Sequence, residues 1–188
     1  MLLAILGYTI DILLMLMVLS ILYCFFIATF TAPFVPVSKK VARKMLAAAD
    51  LRSGENHIEL GSGDGRVLLL AARMGANSTG YELQWPLVLL TKIKAFFLRR
   101  KIHVHLKNFF KADLSAADVI TMYLIPSTMG KVAKKLESSS LKSGTRIVSY
   151  AFKFPDWQEA KKVEREGLAG PIFIYKVGEN KSQISNNK

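Results

Sequence analysis

A glycine-rich turn between a predicted strand and a predicted helix constrains the fold of this chain most strongly. The strand covers Asn56–Leu60, the turn reads Gly-Ser-Gly-Asp-Gly over 61–65, and the helix begins at Arg66. Glycine lets backbone amides approach a ligand closely, and a helix N-terminus favours negative charge beside it. A second predicted strand, 78–81, leads into Glu82, where an acidic side chain suits the two hydroxyls of a ribose. This order predicts an α/β fold with a nucleoside-cofactor site.

The spacing of the glycines distinguishes between the two main cofactor classes. Turns that bind dinucleotides read Gly-x-Gly-x-x-Gly and leave room for a pyrophosphate. Here the spacing is Gly61-x-Gly63-x-Gly65, and Glu59 precedes it. S-adenosylmethionine (AdoMet) has no phosphate but carries an ammonium and a sulfonium, so the Glu59 carboxylate has a cation to meet. A turn that merely joins a strand to a helix needs neither Glu59 nor Glu82, and the sequence therefore predicts AdoMet as the cofactor.

The rest of the chain alternates between strand and helix signals, which predicts a doubly wound α/β sheet. The region after 157 has two interpretations: a strand over 161–165 that forms a closing hairpin with the last strand, or a helix over 157–166. The short segment 107–117 has room for only one turn of helix. Strands are predicted at 56–60, 78–81, 102–106, 118–124, 145–150 and 172–177, and helices at 38–49, 66–74, 86–100 and 127–138.

An uncharged apolar run dominates the N-terminal part of the chain. No charged residue occurs from Ile12 to Phe30, and as a helix this run would measure roughly 28 Å, close to the thickness of a bilayer's hydrocarbon core. A secretory signal would begin with basic residues, whereas the first basic residue here is Lys39. A buried core helix is the other alternative. The basic residues at 39–44 lie just after the run, so the sequence predicts a single-pass membrane anchor with the following domain on the cytoplasmic side, or the matrix side of an organelle.

Charge and histidine placement bear on two further ligand classes. The net charge of +12 suits a nucleic-acid surface or an attraction to anionic lipid headgroups. The basic residues are spread over several predicted helices without interleaved aromatics, which favours the lipid interpretation. His57, His103 and His105 have no cysteine or carboxylate partners at metal-ligand spacing, so no metal site is predicted.

The predicted elements resemble a known enzyme class. Five parallel strands and a closing hairpin resemble the Rossmann-like, seven-stranded sheet of class I methyltransferases. A narrower resemblance rests on three motifs in one order after the apolar run: Pro-Phe-Val-Pro at 33–36, the cofactor turn at 59–66, and Gly-Tyr-Glu-Leu at 80–83. This combination is similar to the small membrane-anchored protein-lysine methyltransferases that modify subunit c of ATP synthase and the adenine nucleotide translocase, and to their prokaryotic relatives. The resemblance extends over roughly residues 12 to 157.

This resemblance implies the roles of individual residues. Asn108 stands where most relatives carry an acidic residue that accepts a bond from the adenine amino group, and its amide oxygen can do the same. Tyr123 and Phe34 are the candidates for a substrate channel, because aromatic faces attract an approaching cation. The expected cofactor-binding residues are Glu59, Gly61, Ser62, Gly63, Asp64, Gly65, Glu82, Leu83, Asn108 and Phe109.

The resemblance also implies a domain organisation. We expect a membrane anchor over 1–31, a connecting segment and helix over 32–55, a class I methyltransferase domain over 56–178, and a disordered tail over 179–188. The implied activity is AdoMet-dependent N-methylation of a lysine in a membrane-associated protein.

Other activities remain open at this point. A methyltransferase for a lipid or a small molecule would be equally well served by an anchor. Nucleic-acid amino methyltransferases carry an Asn or Asp followed by two prolines after the fourth strand, whereas this chain has Tyr123-Leu124-Ile125-Pro126, which opposes nucleic acid as the substrate. A non-catalytic AdoMet-binding protein is opposed by the intact Glu59, glycines and Glu82.

Overall fold

The computed structural model describes residues 2–30, 34–159, 161–163 and 170–178, in two units, Met1–Val35 and Pro36–Lys188. The first unit contains helix α1, Leu2–Phe30. Its stretch Leu6–Tyr23 is apolar and long enough to cross a membrane, and none of it is buried. A core helix or a signal sequence can share this length and composition.

The second unit is built on a seven-stranded sheet, as predicted. The strand order is β3-β2-β1-β4-β5-β7-β6. Strands β1 to β5 are parallel where they pair, and β7 runs antiparallel to both β5 and β6. The strands are β1 Asn56–Leu60, β2 Asn77–Glu82, β3 Ile102–Leu106, β4 Val119–Met122, β5 Arg146–Tyr150, β6 Lys161–Val163 and β7 Ile172–Lys176.

The C-terminal hairpin follows the first of the two predicted interpretations. Strand β6 pairs with β7, Lys161 opposite Ile174, so the helical alternative over 157–166 is wrong for the described residues. The described residues do not include 164–169, Pro33 or the predicted tail at 179–188.

Among the described residues four helices flank the sheet, and the predicted ends of one helix and one strand need correction. The helices are α2 Lys39–Ala48, α3 Arg66–Arg73, α4 Trp85–Phe97 and α5 Met129–Glu137, with short 3-10 turns at Phe109–Lys111 and Pro126–Thr128. Helix α4 ends before the predicted position 100, because Arg99 takes a left-handed conformation with φ of +49° and so cannot continue the helix. Strand β4 ends at Met122 rather than 124, because Pro126 opens a 3-10 turn and has no N–H for a sheet.

The core lies on both faces of the sheet. Helices α2 and α3 bury Met45, Leu46 and Val67 in one cluster. Helix α5 buries Val132 and Leu136 in a second cluster, and α4 contributes to a third, smaller one. Because β1 to β5 are parallel, their carboxyl ends lie at one edge of the sheet, and the loops that follow them can form a site there.

A buried histidine crosses the centre of the sheet. His57 on β1 is fully buried, with Nδ1 at 2.7 Å from the Ser78 hydroxyl on β2 and Nε2 at 2.8 Å from the Thr121 hydroxyl on β4. Burial lowers the pKa of His57 to about 3, because the imidazolium would lose its hydration. The ring is therefore neutral at physiological pH and serves as a polar link between three strands.

This histidine predicts a measurable pH dependence of stability. In the unfolded chain the imidazole of His57 has a pKa of 6.5. Below that pH the unfolded chain binds a proton at His57 and the folded chain does not, so the free energy of unfolding falls on acidification. Between pH 6.5 and about 5 the loss amounts to roughly 2 kcal/mol. Urea unfolding across this range should show that loss in the wild type, whereas His57→Asn should be less stable at neutral pH but have a flatter profile. Equal slopes for the two proteins would contradict the assignment.

Candidate active site

The glycine turn and the segment after β4 meet at one edge of the sheet. The order of the strands reverses between β1 and β4, and ligands of such sheets bind outside the carboxyl ends at that point. Leu60 at the end of β1 pairs with Met122 at the end of β4. A Cβ on Gly61 would lie only 3.0 Å from the Leu124 side chain. The two segments therefore form a single site.

Strand β2 holds the glycine turn from the other side. The backbone N–H groups of Gly61 and Ser62 both donate to the carbonyl oxygen of Tyr81, at 3.0 Å each. The N–H of Gly63 donates to Glu82 Oε2 at 2.9 Å. Gly61, Gly63 and Gly65 have φ values of +74°, +55° and +74°, a left-handed conformation that side chains with a Cβ rarely adopt. The sequence of the turn is thus explained by its backbone path.

Glu59 is the most unusual residue of the site. Among the described residues, only two buried side-chain polar atoms lack a hydrogen-bond partner, Glu59 Oε2 and Ser62 Oγ. Burial raises the pKa of Glu59 well above its ordinary value, and this outweighs a hydrogen bond from the backbone of Leu68 in the first turn of α3. A buried carboxylate with an unused oxygen is costly unless a cation pairs with it.

The orphaned atoms provide a test of whether AdoMet fits. Its ammonium would supply Glu59 with the missing cationic donor, and its hydroxyls and carboxylate can bond to the remaining polar groups of the turn. No phosphate-binding cation is needed. The arrangement of acidic and backbone groups around the turn therefore fits AdoMet.

Glu82 has a structural role that the sequence did not reveal. Its Oε1 accepts the N–H of Leu83 at 2.8 Å and of Gln84 at 2.9 Å, while its Oε2 accepts the N–H of Gly63. These bonds fix the carboxylate at the tip of β2 beside the turn. Each carboxylate oxygen has two lone pairs, so the three N–H bonds leave one lone pair on Oε2, which can accept a hydrogen bond from one ribose hydroxyl.

Asp64 and Gly65 contact helix α4. The Asp64 carboxylate lies 2.8 Å from Arg66 Nε and 2.7 Å from Lys94 Nζ. Burial alone would raise the pKa of Asp64, but the hydrogen bonds from these two cations lower it to about 2. A Cβ on Gly65 would lie 2.3 Å from the buried Thr91 side chain. These contacts attach α4 to the turn, and the direct cofactor contact expected of both residues stays a prediction.

The predicted adenine-side residues lie around the end of β3. Asn108 Oδ1 accepts the N–H of Phe110 at 3.0 Å and so caps a 3-10 turn. Phe109 is half-buried, and its ring centroid is 4.5 Å from that of Phe110. Leu83 is exposed after β2. Adenine binding by Asn108, Phe109 and Leu83 stays a prediction, with one Asn108 lone pair already in use.

Tyr123 belongs to an aromatic cluster that sequence reasoning missed. Its ring centroid lies 4.9 Å from that of Tyr150 and 6.4 Å from that of Phe152, and the Phe152 ring is nearly parallel to it. Tyr150 ends β5, the neighbour of β4. The available signal was the position of all three residues at carboxyl ends of adjacent strands. We call Tyr123, Tyr150 and Phe152 the aromatic cluster.

Two other predictions concern Phe34 and metals. Phe34 is exposed in the first unit, and its assignment to a substrate channel stays a prediction. No group of three or more histidine, cysteine or acidic side chains suited to a metal occurs within the described part of the chain.

Comparisons with known proteins identify the family of this chain. The ANTKMT methyltransferase domain matches residues 59–161. A Saccharolobus islandicus protein named protein-lysine N-methyltransferase is 33% identical over 155 residues, 79% of this chain and 96% of that protein. A Caenorhabditis elegans protein, named as the lysine N-methyltransferase of the ATP synthase C subunit, is 34% identical over 77% of this chain and 80% of that protein.

A solved structure supports both the fold and the cofactor. The crystal structure of a Salinibacter ruber RNA methyltransferase in complex with S-adenosylhomocysteine superposes with a TM-score of 0.73 at 33% identity, covering 78% of this chain and 95% of that one. The predicted class I methyltransferase sheet and the predicted AdoMet cofactor are confirmed. The chain belongs to the ANTKMT methyltransferase domain family and is an AdoMet-dependent methyltransferase of the protein-lysine N-methyltransferase group.

Proposed function

We propose that this chain transfers a methyl group from AdoMet to the ε-amino group of a lysine in a membrane protein. The observation that carries the proposal is the aromatic cluster beside the cofactor turn. Tyr123 directly follows Met122, which pairs with the last residue of β1 before the turn. A lysine side chain that reaches the cofactor turn would pass Tyr123 and Phe152, which are partly exposed, whereas Tyr150 is buried and packs against Tyr123.

The chemistry of lysine methylation suits such surroundings. Bound AdoMet supplies an electrophilic methyl group on a sulfonium, and the lysine must offer a neutral amine in line with it. Aromatic faces attract the incoming ammonium, and a partly dry environment favours its loss of a proton to water. The products are methyllysine and S-adenosylhomocysteine.

The aromatic cluster yields a specific prediction. Removal of the ring in Tyr123→Ala should lower kcat/KM for the protein substrate by roughly 3- to 30-fold, since cation–π contacts contribute about 0.5–2 kcal/mol. The dissociation constant for AdoMet should not change, because in this proposal the aromatic cluster contacts the incoming lysine and not the cofactor. Tyr123→Phe keeps the ring and is the matched control. Full turnover by both variants would assign Tyr123 to packing alone.

In this proposal α1 anchors the chain. The residues 1–31 would lie in the bilayer, 32–55 would connect, and 56–178 would form the catalytic domain. The basic residues at 39–44 favour the cytoplasmic or matrix side for that domain. An anchor raises the local concentration of substrates held in the same bilayer. Alkaline carbonate extraction should leave the chain in the membrane pellet, and protease digestion of sealed membranes tests the side.

RNA is a second candidate substrate because of one observation, the similarity to a protein described as an RNA methyltransferase. Lipid is a third. Membranes and RNA from cells that lack this protein should be incubated with the purified full chain and methyl-tritiated AdoMet, and the protein, lipid and RNA fractions counted separately. We expect label in the protein fraction. Label confined to lipid or to RNA would contradict the proposal and identify the alternative.

A further inference from the structure

Helix α4 has an apolar surface on the side that faces away from the sheet. Its buried positions are Val88, Thr91 and Ala95, spaced as expected for one helical face. The opposite side, here called the outer face of α4, consists of exposed large apolar residues: Leu89, Leu90, Ile93, Phe96 and Phe97. A helix on the surface of a soluble domain places charged or polar residues at such positions.

The other helices of the second unit provide an internal comparison. The exposed positions of α5 are Lys131, Lys134 and Glu137, and α2 exposes mainly Lys39, Lys40 and Arg43. Within the described residues, α4 is the helix of this unit with an apolar exterior. Phe96 and Phe97 are 78% and 76% exposed, more than any large apolar side chain described in α1, the candidate membrane span. Such a patch marks a contact with a partner or a membrane.

Basic residues surround the outer face. Lys92 is exposed at its border. Arg99, Arg100 and Lys101 follow Leu98, the C-cap residue of the helix, and are exposed as well. No acidic residue occurs from Gln84 to Leu106. Aromatic and aliphatic side chains on one side, with basic residues beside them, are characteristic of helices that lie in the interface of an anionic bilayer.

We propose that the outer face of α4 lies in the headgroup region of an anionic membrane and seats the catalytic domain on the lipid surface. Helix α4 begins at Trp85, three residues after Glu82, at the edge of the sheet that carries the active site. An α4 bound in this way brings that edge close to the bilayer, within reach of lysines at the surface of membrane proteins. The inference deepens the proposed membrane attachment and rests on it, but assigns a second contact that is separate from α1.

Lipid quenching of site-specific labels tests this contact on the full chain. With the single cysteine, Cys24, changed to serine, a fluorophore is attached in turn at Phe97→Cys on α4, Leu16→Cys on α1 and Lys134→Cys on α5. Each protein is reconstituted in vesicles of phosphatidylcholine and phosphatidylglycerol that contain doxyl-labelled lipid. We expect quenching at 97 and at 16 but none at 134, with 97 quenched by shallow labels because such a helix lies about 5–10 Å deep. Unchanged AdoMet binding verifies that each variant is folded.

A double variant and a second vesicle composition test which interactions hold the outer face of α4 on the membrane. Phe96→Ser and Ile93→Ser together should lower the quenching at 97 about twofold or more, since they remove apolar surface from the lipid contact. Vesicles of phosphatidylcholine alone should also lower it, and equal quenching in both vesicle types would overturn the role given to the anionic headgroups.

The label on α1 separates failure of this inference from failure of the anchor. Quenching at 16 with none at 97 would overturn the α4 contact and leave the anchor intact. A label at 97 that is shielded from quenching by aqueous iodide but is not quenched by lipid would also overturn the α4 contact. That result would mean that protein covers the outer face of α4, either a second copy of the chain or α1. Absence of quenching at all three positions would overturn both membrane contacts.

Discussion

Glu59→Gln should lower the affinity for AdoMet by roughly 10- to 100-fold, since a hydrogen bond to a charged group contributes about 1.5–3 kcal/mol. Glu59 Oε2 is buried without a partner, and the amide cannot offer a negative charge to the cofactor's ammonium. S-adenosylhomocysteine keeps that ammonium but lacks the sulfonium. An equal loss for both ligands would assign Glu59 to the ammonium, whereas a loss for AdoMet alone would assign it to the sulfonium.

The same variant should be at least as stable as the wild type in the absence of cofactor. The raised pKa of Glu59 means that folding costs free energy at any pH where the unfolded chain has this carboxyl ionised, that is, above about 4.5. The cost grows as the pH rises toward the folded pKa and is absent in glutamine. Thermal unfolding with and without AdoMet measures both effects. A variant that is destabilised and binds AdoMet normally would contradict the assignment.

Glu82→Ala should weaken AdoMet binding by about 100-fold or more, because it removes both the proposed ribose acceptor and the support of the turn. Three backbone N–H groups, of Gly63, Leu83 and Gln84, lose their acceptor. We therefore also expect a lower melting temperature without cofactor, unlike for Glu59→Gln. Calorimetric titration and thermal unfolding measure the two effects.

Asp113→Ala is a matched control for this variant. Asp113 also accepts a backbone N–H with its carboxylate, from Ser115 at 2.9 Å, but it lies in an exposed turn after the 3-10 segment. Its loss should not change AdoMet affinity. If Glu82→Ala behaves like Asp113→Ala in binding, the ribose assignment is wrong.

The central fold could be predicted because its determinants are local. The glycines at 61, 63 and 65 require positive φ at a strand–helix junction, and the alternation of strands and helices leaves few topologies. The pairing of β6 with β7 could not be decided, because the segment after 157 carries no clear periodicity. That choice depends on which edge of the sheet remains open to a further strand.

Much of the site depends on contacts between distant residues. Asp64 bonds to Lys94, thirty positions along the chain. Tyr123 packs against Tyr150 at the end of the next strand and against Phe152 just after it. Neither pairing has a local signal. The apolar exterior of α4 was equally hidden, because apolar residues occur on both its inner and its outer side, and only packing on the sheet decides which side stays exposed.

The most direct test of the proposed function is to locate the methyl group that the enzyme adds. The full chain and the Glu59→Gln variant should each be incubated with AdoMet and with membranes from cells that lack this protein, and the membrane proteins digested and sequenced by mass spectrometry. We expect methyllysine in a discrete membrane protein with the wild type and much less with the variant at limiting AdoMet. Methylation on another residue type, or an equal yield from both proteins, would contradict the account.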